Sequence, residues 1–184
     1  MEKEQWAFIA GLIAMLLVAS SYFFRKKTQY LFLQGLGIIF LMLSYLFTGE
    51  YFAMVGLVIG LARSLTYFAF EVKGKNTSIF WPFLFSGLGV ASYFILNFWI
   101  LKTAKPAIDC IYLVGLIAYA FIFWVRKLEL LRYLVLIPTG LSILYNVLIN
   151  AVPFVIVSYS FELLANLVAI AKYDLFKRLK NEKH

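Results

Sequence analysis

VPFVIVSYSFELLANLVAIA, residues 152–171, is apolar over a bilayer-spanning length yet carries a full charge, Glu162, at its middle. A helix needs about 20 apolar residues to cross the ~30 Å hydrocarbon core. A charged side chain at that depth costs at least ~3 kcal/mol on insertion scales, so it is kept inside a bundle, paired, or set against a wet path. YFAMVGLVIGLARSLTYFAF, residues 51–70, repeats the pattern with the opposite sign, Arg63. Two opposite charges in two spans predict an ion pair within a helical bundle.

Composition agrees with a membrane chain. The 184 residues are 64% hydrophobic and 14% charged, with mean hydropathy +0.89. Soluble domains carry about 25% charged residues. Further apolar runs lie at 6–24, 30–48, 79–101, 108–125 and 130–149, making seven with the two already quoted. Lipid offers the backbone no hydrogen-bond partner, so the spans are helices. The expected fold is an all-α membrane protein with seven transmembrane helices in one domain, residues 1–184. Its parts are a first three-helix bundle (6–70), a linking helix (79–101), a second three-helix bundle (108–171) and a basic tail (172–184).

The net charge of +8 could suggest nucleic acid, but its placement argues otherwise. Thirteen of the seventeen Lys and Arg fall in 25–28, 71–78, 126–132 and the segment from Lys172 onward. Lys3, Lys102 and Lys105 fall on the opposite side, and Arg63 is the remaining one. The alternation follows the positive-inside rule, with the N-terminus outside and the C-terminus cytoplasmic. The first apolar run has no basic leader and reads as a retained span. A multi-pass membrane location is expected.

The spans divide as three, one and three. Shifting the borders of the first three by 101 residues nearly reproduces the last three, and Arg25-Lys26 falls on Arg126-Lys127. Two copies separated by a single helix keep the same orientation, a parallel repeat about an axis along the membrane normal. Pro82, Pro106 and Pro153 sit near span starts, where a missing N–H costs little. Pro138 lies inside the sixth span and is a candidate hinge. Gly37, at the repeat-related place in the second span, is a softer candidate. Trp6, Trp81, Trp99 and Trp124 lie near span ends, as interfacial anchors do.

Helical spacing places Gly56, Gly60, Arg63, Thr66 and Tyr67 on one stripe of the third span. Ser158, Tyr159, Glu162 and Asn166 share a face of the seventh. At 1.5 Å per residue, Arg63 lies about 18 Å below Tyr51 and Glu162 about 15 Å below residue 152, similar depths near the midplane. Arg63 and Glu162 are therefore candidate binding or gating residues, with Asn166, Tyr67, Tyr159 and Asn146 as candidate solute contacts. The sixth span also carries Ser142, and the second Gln34 and Ser44, which suit helix-to-helix hydrogen bonds.

Catalytic signatures are absent: there is no HExxH, GxSxG, CxxC or P-loop. One cysteine, Cys110, and one histidine, His184, supply no metal set. An enzyme is not expected, and no cofactor or metal is implied. Expected partners are the lipid bilayer and a small polar solute, with homo-oligomerisation left open and nucleic acid not expected.

The segments Leu61-Ala62-Arg63-Ser64-Leu65-Thr66-Tyr67, Glu162-Leu163-Leu164-Ala165-Asn166, Lys172-Tyr173-Asp174 and Leu144-Tyr145-Asn146 resemble the signatures of the YgjV-like bacterial inner membrane proteins. That family has been grouped with the SWEET sugar facilitators, the PnuC vitamin transporters and the KDEL receptors, the PQ-loop group. The resemblance implies two three-helix bundles joined by a linking helix, a location in the bacterial inner (plasma) membrane, and transport as the commonest activity. SWEET-like proteins place hinge prolines in several helices, whereas here only Pro138 qualifies. They also place an asparagine near the solute on the third and seventh helices, which Asn166 matches on the seventh alone. An Arg–Glu pair departs from a neutral-sugar site and leaves an anionic or zwitterionic solute open. The expected function is a transporter or facilitator for a small polar metabolite, vitamin-, nucleoside- or sugar-like, working by alternating access. The alternative is a non-transporting receptor or assembly factor in which the Arg–Glu pair is structural.

Overall fold

A computed structural model describes residues 3–49, 51–100, 106–151 and 153–175. Among them are seven helices and no strand: α1 Lys3–Ser21, α2 Lys27–Thr48, α3 Tyr51–Val72, α4 Phe80–Phe94, α5 Pro106–Trp124, α6 Leu128–Leu148 and α7 Pro153–Ala169. Two helices run on in π geometry, α4 through Ile95–Ile100 and α7 through Ile170–Leu175. Six helical segments are long and apolar enough to cross a membrane, and α1 contributes a shorter apolar stretch, Gln5–Ser21. Lys102, Lys105 and the tail beyond Leu175 lie outside the described residues.

Local chemistry sets the helix borders. Gly49 adopts φ +80° after α2 and donates its N–H to the Tyr45 carbonyl at 2.9 Å. That left-handed cap costs glycine little. Asn150 takes φ +54° after α6, and the next N–H, of Ala151, closes on the Asn146 carbonyl at 2.9 Å. Pro106 and Pro153 open α5 and α7, where the absent N–H has no acceptor to lose. Pro138 lies within α6, which continues through it to Leu148.

Six helices form a ring. α1 packs on α2, α2 on α3, α3 on α5, α5 on α6, α6 on α7, and α7 back on α1, while α4 lies across the α3 and α5 side. The polarity of the ring is inverted relative to a soluble bundle. Phe32, Phe83, Ile137 and Leu164 are more than half exposed, whereas Arg63, Ser64, Arg132, Asn146 and Asn166 are almost fully buried. Lipid replaces water outside, so apolar side chains face outward and polar groups find partners inward.

Glycines let neighbouring elements close up. A Cβ on Gly56 would lie 2.5 Å from the Tyr112 ring and 2.7 Å from its hydroxyl, so this glycine makes room for a side chain of α5. A Cβ on Gly37 would collide with Val18 Cγ2, and so α1 presses on α2 there.

Candidate functional site

Arg63 and Glu162 reach one interior cavity of about 70 Å³, room for a few waters. Its walls come from both sides of the ring. Gln34 of α2 and Gly60 of α3 face Tyr112 and Tyr119 of α5, and Ser142 of α6 and Tyr159 of α7 complete it.

The predicted ion pair does not form. Among the described residues, ion pairs within 4.0 Å join Lys27 to Glu71 and Arg132 to Asp174, not Arg63 to Glu162. Aromatic faces hold Arg63 instead. Its guanidinium carbon lies 4.6 Å from the Phe123 ring centroid and 5.4 Å from that of Tyr119, a cation–π arrangement. Nη1 donates one long hydrogen bond, 3.5 Å, to the Leu116 carbonyl, and buried Nε has no acceptor among the described residues. Glu162 is met from α1's end: the Tyr22 hydroxyl donates to Oε1 at 2.6 Å. The carboxylate makes no other hydrogen bond among the described residues. Each charge therefore keeps unused hydrogen-bonding capacity while bordering the same space.

Of the other candidate contacts, Tyr159 lines the cavity. Tyr67, Asn146 and Asn166 do not, because each is engaged elsewhere in the core. The Tyr67 hydroxyl donates to the Ala120 carbonyl at 2.9 Å, joining α3 to α5. Asn146 accepts from the Tyr45 hydroxyl at 3.2 Å and donates to the Ser142 carbonyl at 2.7 Å. Asn166 donates to the Arg132 carbonyl at 2.8 Å, tying α7 to α6. Unpaired amides and hydroxyls are costly in a low-dielectric interior, and these took the nearest backbone or side-chain partners.

Sequence reasoning missed two features. The first is the stripe Tyr112, Leu116, Tyr119 and Phe123 on α5, three aromatic rings and a leucine, which forms one wall. Its spacing of three and four residues was readable, but uniform hydropathy concealed it. The second is the buried ion pair. Arg132 Nη1 donates to Asp174 Oδ1 at 3.0 Å, with both side chains at most 3% exposed. Arg132 Nη2 also donates to the Phe24 carbonyl at 2.8 Å, so one guanidinium joins the α1–α2 turn, the start of α6 and the π-helical end of α7. Tyr173 packs under it, 5.4 Å from the guanidinium carbon, and Arg25 covers the same ring at 5.6 Å. The fully buried rings of Tyr22, Tyr30 and Phe123 are in edge contact, 5.4 and 5.8 Å between centroids, and link Tyr22, the partner of Glu162, to the cavity wall at Phe123.

The arrangement leaves a small cavity inside the ring, with Arg63, Glu162, Gln34 and Ser142 among the residues that line it. Among the described residues no group of three or more His, Cys, Asp or Glu could hold a metal. No curated protein and no solved structure matches the chain. The Imp-YgjV family profile, described as bacterial inner membrane protein, matches residues 5–177, so the chain belongs to that family and is a multi-pass protein of the bacterial inner membrane.

Proposed function

We propose that this protein is a transporter or facilitator for a small polar metabolite, working by alternating access around the central cavity. The observation that carries the proposal is one cavity lined from both halves of the ring and bordered by two opposite charges that do not pair with each other, Arg63 and Glu162. Intramembrane ionisable residues facing a cavity mark solute paths.

Alternating access needs two halves that rock, and a parallel 3+1+3 repeat would supply them. Three features support that repeat. The order of packing α1–α2–α3 recurs as α5–α6–α7, and α3 meets α5 as α7 meets α1. The Tyr45–Asn146 hydrogen bond joins residues 101 apart, the same shift that superposes the two sets of spans. Residues related by a twofold axis touch only near that axis. Each half also ties the start of its second helix to the end of its third with an ion pair, Lys27–Glu71 and Arg132–Asp174. In this scheme, the N-terminus is outside and the C-terminus cytoplasmic, and the likeness to the SWEET and PnuC group extends to mechanism. Pro138 and Gly37 would absorb the bending.

Flux through proteoliposomes tests the proposal. Uptake of a small polar solute, lost by at least tenfold in Arg63→Gln and Glu162→Gln variants that remain folded, is the expected result. Absence of flux for a broad metabolite panel in intact protein overturns it. The cross-links at Arg132 favour a second reading, a non-transporting receptor or assembly factor with a static core. Binding without flux is its signature.

A further inference from the structure

We infer that the cavity recognises a small zwitterion, a solute with an anionic group and an ammonium group a few bonds apart. This rests on the proposed solute site and specifies its ligand class. Arg63 is 4% exposed and Glu162 8% exposed, and both border the cavity without meeting. A buried charge stranded from a partner is strongly destabilising. A ligand carboxylate or phosphate at Arg63 would engage a guanidinium whose Nε lacks an acceptor and whose present hydrogen bond is long. A ligand ammonium at Glu162 would use the carboxylate capacity that Tyr22 leaves.

Charge balance selects between ligand types. The two residues sum to zero, so a net-neutral ligand leaves the low-dielectric site neutral. An anion alone would satisfy Arg63 but face Glu162, and a cation alone would do the reverse. Like-charge juxtaposition is what excludes such partners. The aromatic lining residues Tyr112, Tyr119 and Tyr159 supply rings of the kind that attract an ammonium group as well. The same chemistry also occurs in a phosphoethanolamine lipid headgroup, and the test separates the two sources.

Thermal unfolding of the purified full-length protein in lipid-free detergent is measured with glycine, β-alanine, acetate, methylammonium, propionamide, glucose and uridine, each at equal concentration. A ligand of the folded state raises the unfolding temperature by mass action. The expected result is a shift with glycine or β-alanine and none with the single-charge, neutral, sugar or nucleoside probes. Equal shifts with acetate or methylammonium alone, shifts only with propionamide, glucose or uridine, or no shift with either zwitterion, overturn the inference. Stabilisation confined to added phosphatidylethanolamine overturns the soluble-solute source and assigns the site to a headgroup. Arg63→Gln and Glu162→Gln should each weaken the glycine or β-alanine response at least tenfold in midpoint concentration. The panel on unaltered protein decides the matter even if a variant fails to fold. Zwitterion binding without flux removes the transport proposal and leaves this one standing. Flux of an uncharged solute with no zwitterion binding does the reverse.

Discussion

At the residue scale, the interior sets its charges in two different surroundings. Arg132 and Asp174 are joined by a short, buried, hydrogen-bonded contact, while Arg63 and Glu162 border a cavity apart. Removing one partner of a buried pair strands the other and costs about 3–5 kcal/mol. Asp174→Asn should therefore lower the unfolding free energy by about that amount. Replacing both residues by apolar ones of similar size, Arg132→Met with Asp174→Leu, should recover part of it, because Arg132 also donates to the Phe24 carbonyl. Chemical denaturation in detergent checks both, and equal losses in the single and double variants would refute the pairing. Tyr22→Phe removes the hydrogen bond to Glu162 and should cost about 1–3 kcal/mol, the penalty for a buried acceptor losing its donor. No loss in the same measurement would mean that Tyr22 does not hold the carboxylate. Arg63 was legible as a functional candidate because arginine is rare at bilayer depth. Arg132 was not, because a basic residue near a span end usually reports only topology.

At the element scale, close contacts at glycines and one internal proline mark how the helices pack. Gly56 opposes the Tyr112 ring, whose hydroxyl reaches the Ala53 carbonyl at 3.2 Å. Gly56→Ala should displace that ring and cost about 1–3 kcal/mol through overpacking. Pairing it with Tyr112→Ala should relieve the clash. A thermal melt reports both, and an unchanged melting temperature in Gly56→Ala would show that the contact is slack. Pro138 has no N–H to donate within α6. In the transport scheme, Pro138→Ala should keep the fold and its melting temperature while slowing flux severalfold. Unaltered flux would remove Pro138 as a hinge. The spans themselves were readable because hydropathy and length are local properties. Their π-helical ends were not. The turn carrying Asp174 is set by packing against α6 and its contact with Arg132.

At the scale of the whole molecule, span number and membrane class follow from the length and order of the apolar runs, because the cost of transfer into lipid is largely a sum over the residues of each run. The proposed orientation follows the same logic. A C-terminal green fluorescent protein fusion should fluoresce and a C-terminal alkaline phosphatase fusion should be inactive, whereas the reverse pattern would invert the topology. The sequence also pointed to two opposite charges at similar depth, since rise per residue converts position into depth. Whether those charges touch depends on helix rotation and on which aromatic face or hydroxyl lies nearer. Phe123 and Tyr119 took Arg63, and Tyr22 took Glu162. The destinations of Tyr67, Asn146 and Asn166 are likewise a matter of packing, because a buried polar group binds the partner that the neighbouring helix presents. Linear sequence thus dictates which groups enter the bilayer. The closed ring of helices dictates which of them meet, because hydrogen bonds and ion contacts act over a few ångströms that only packing brings about.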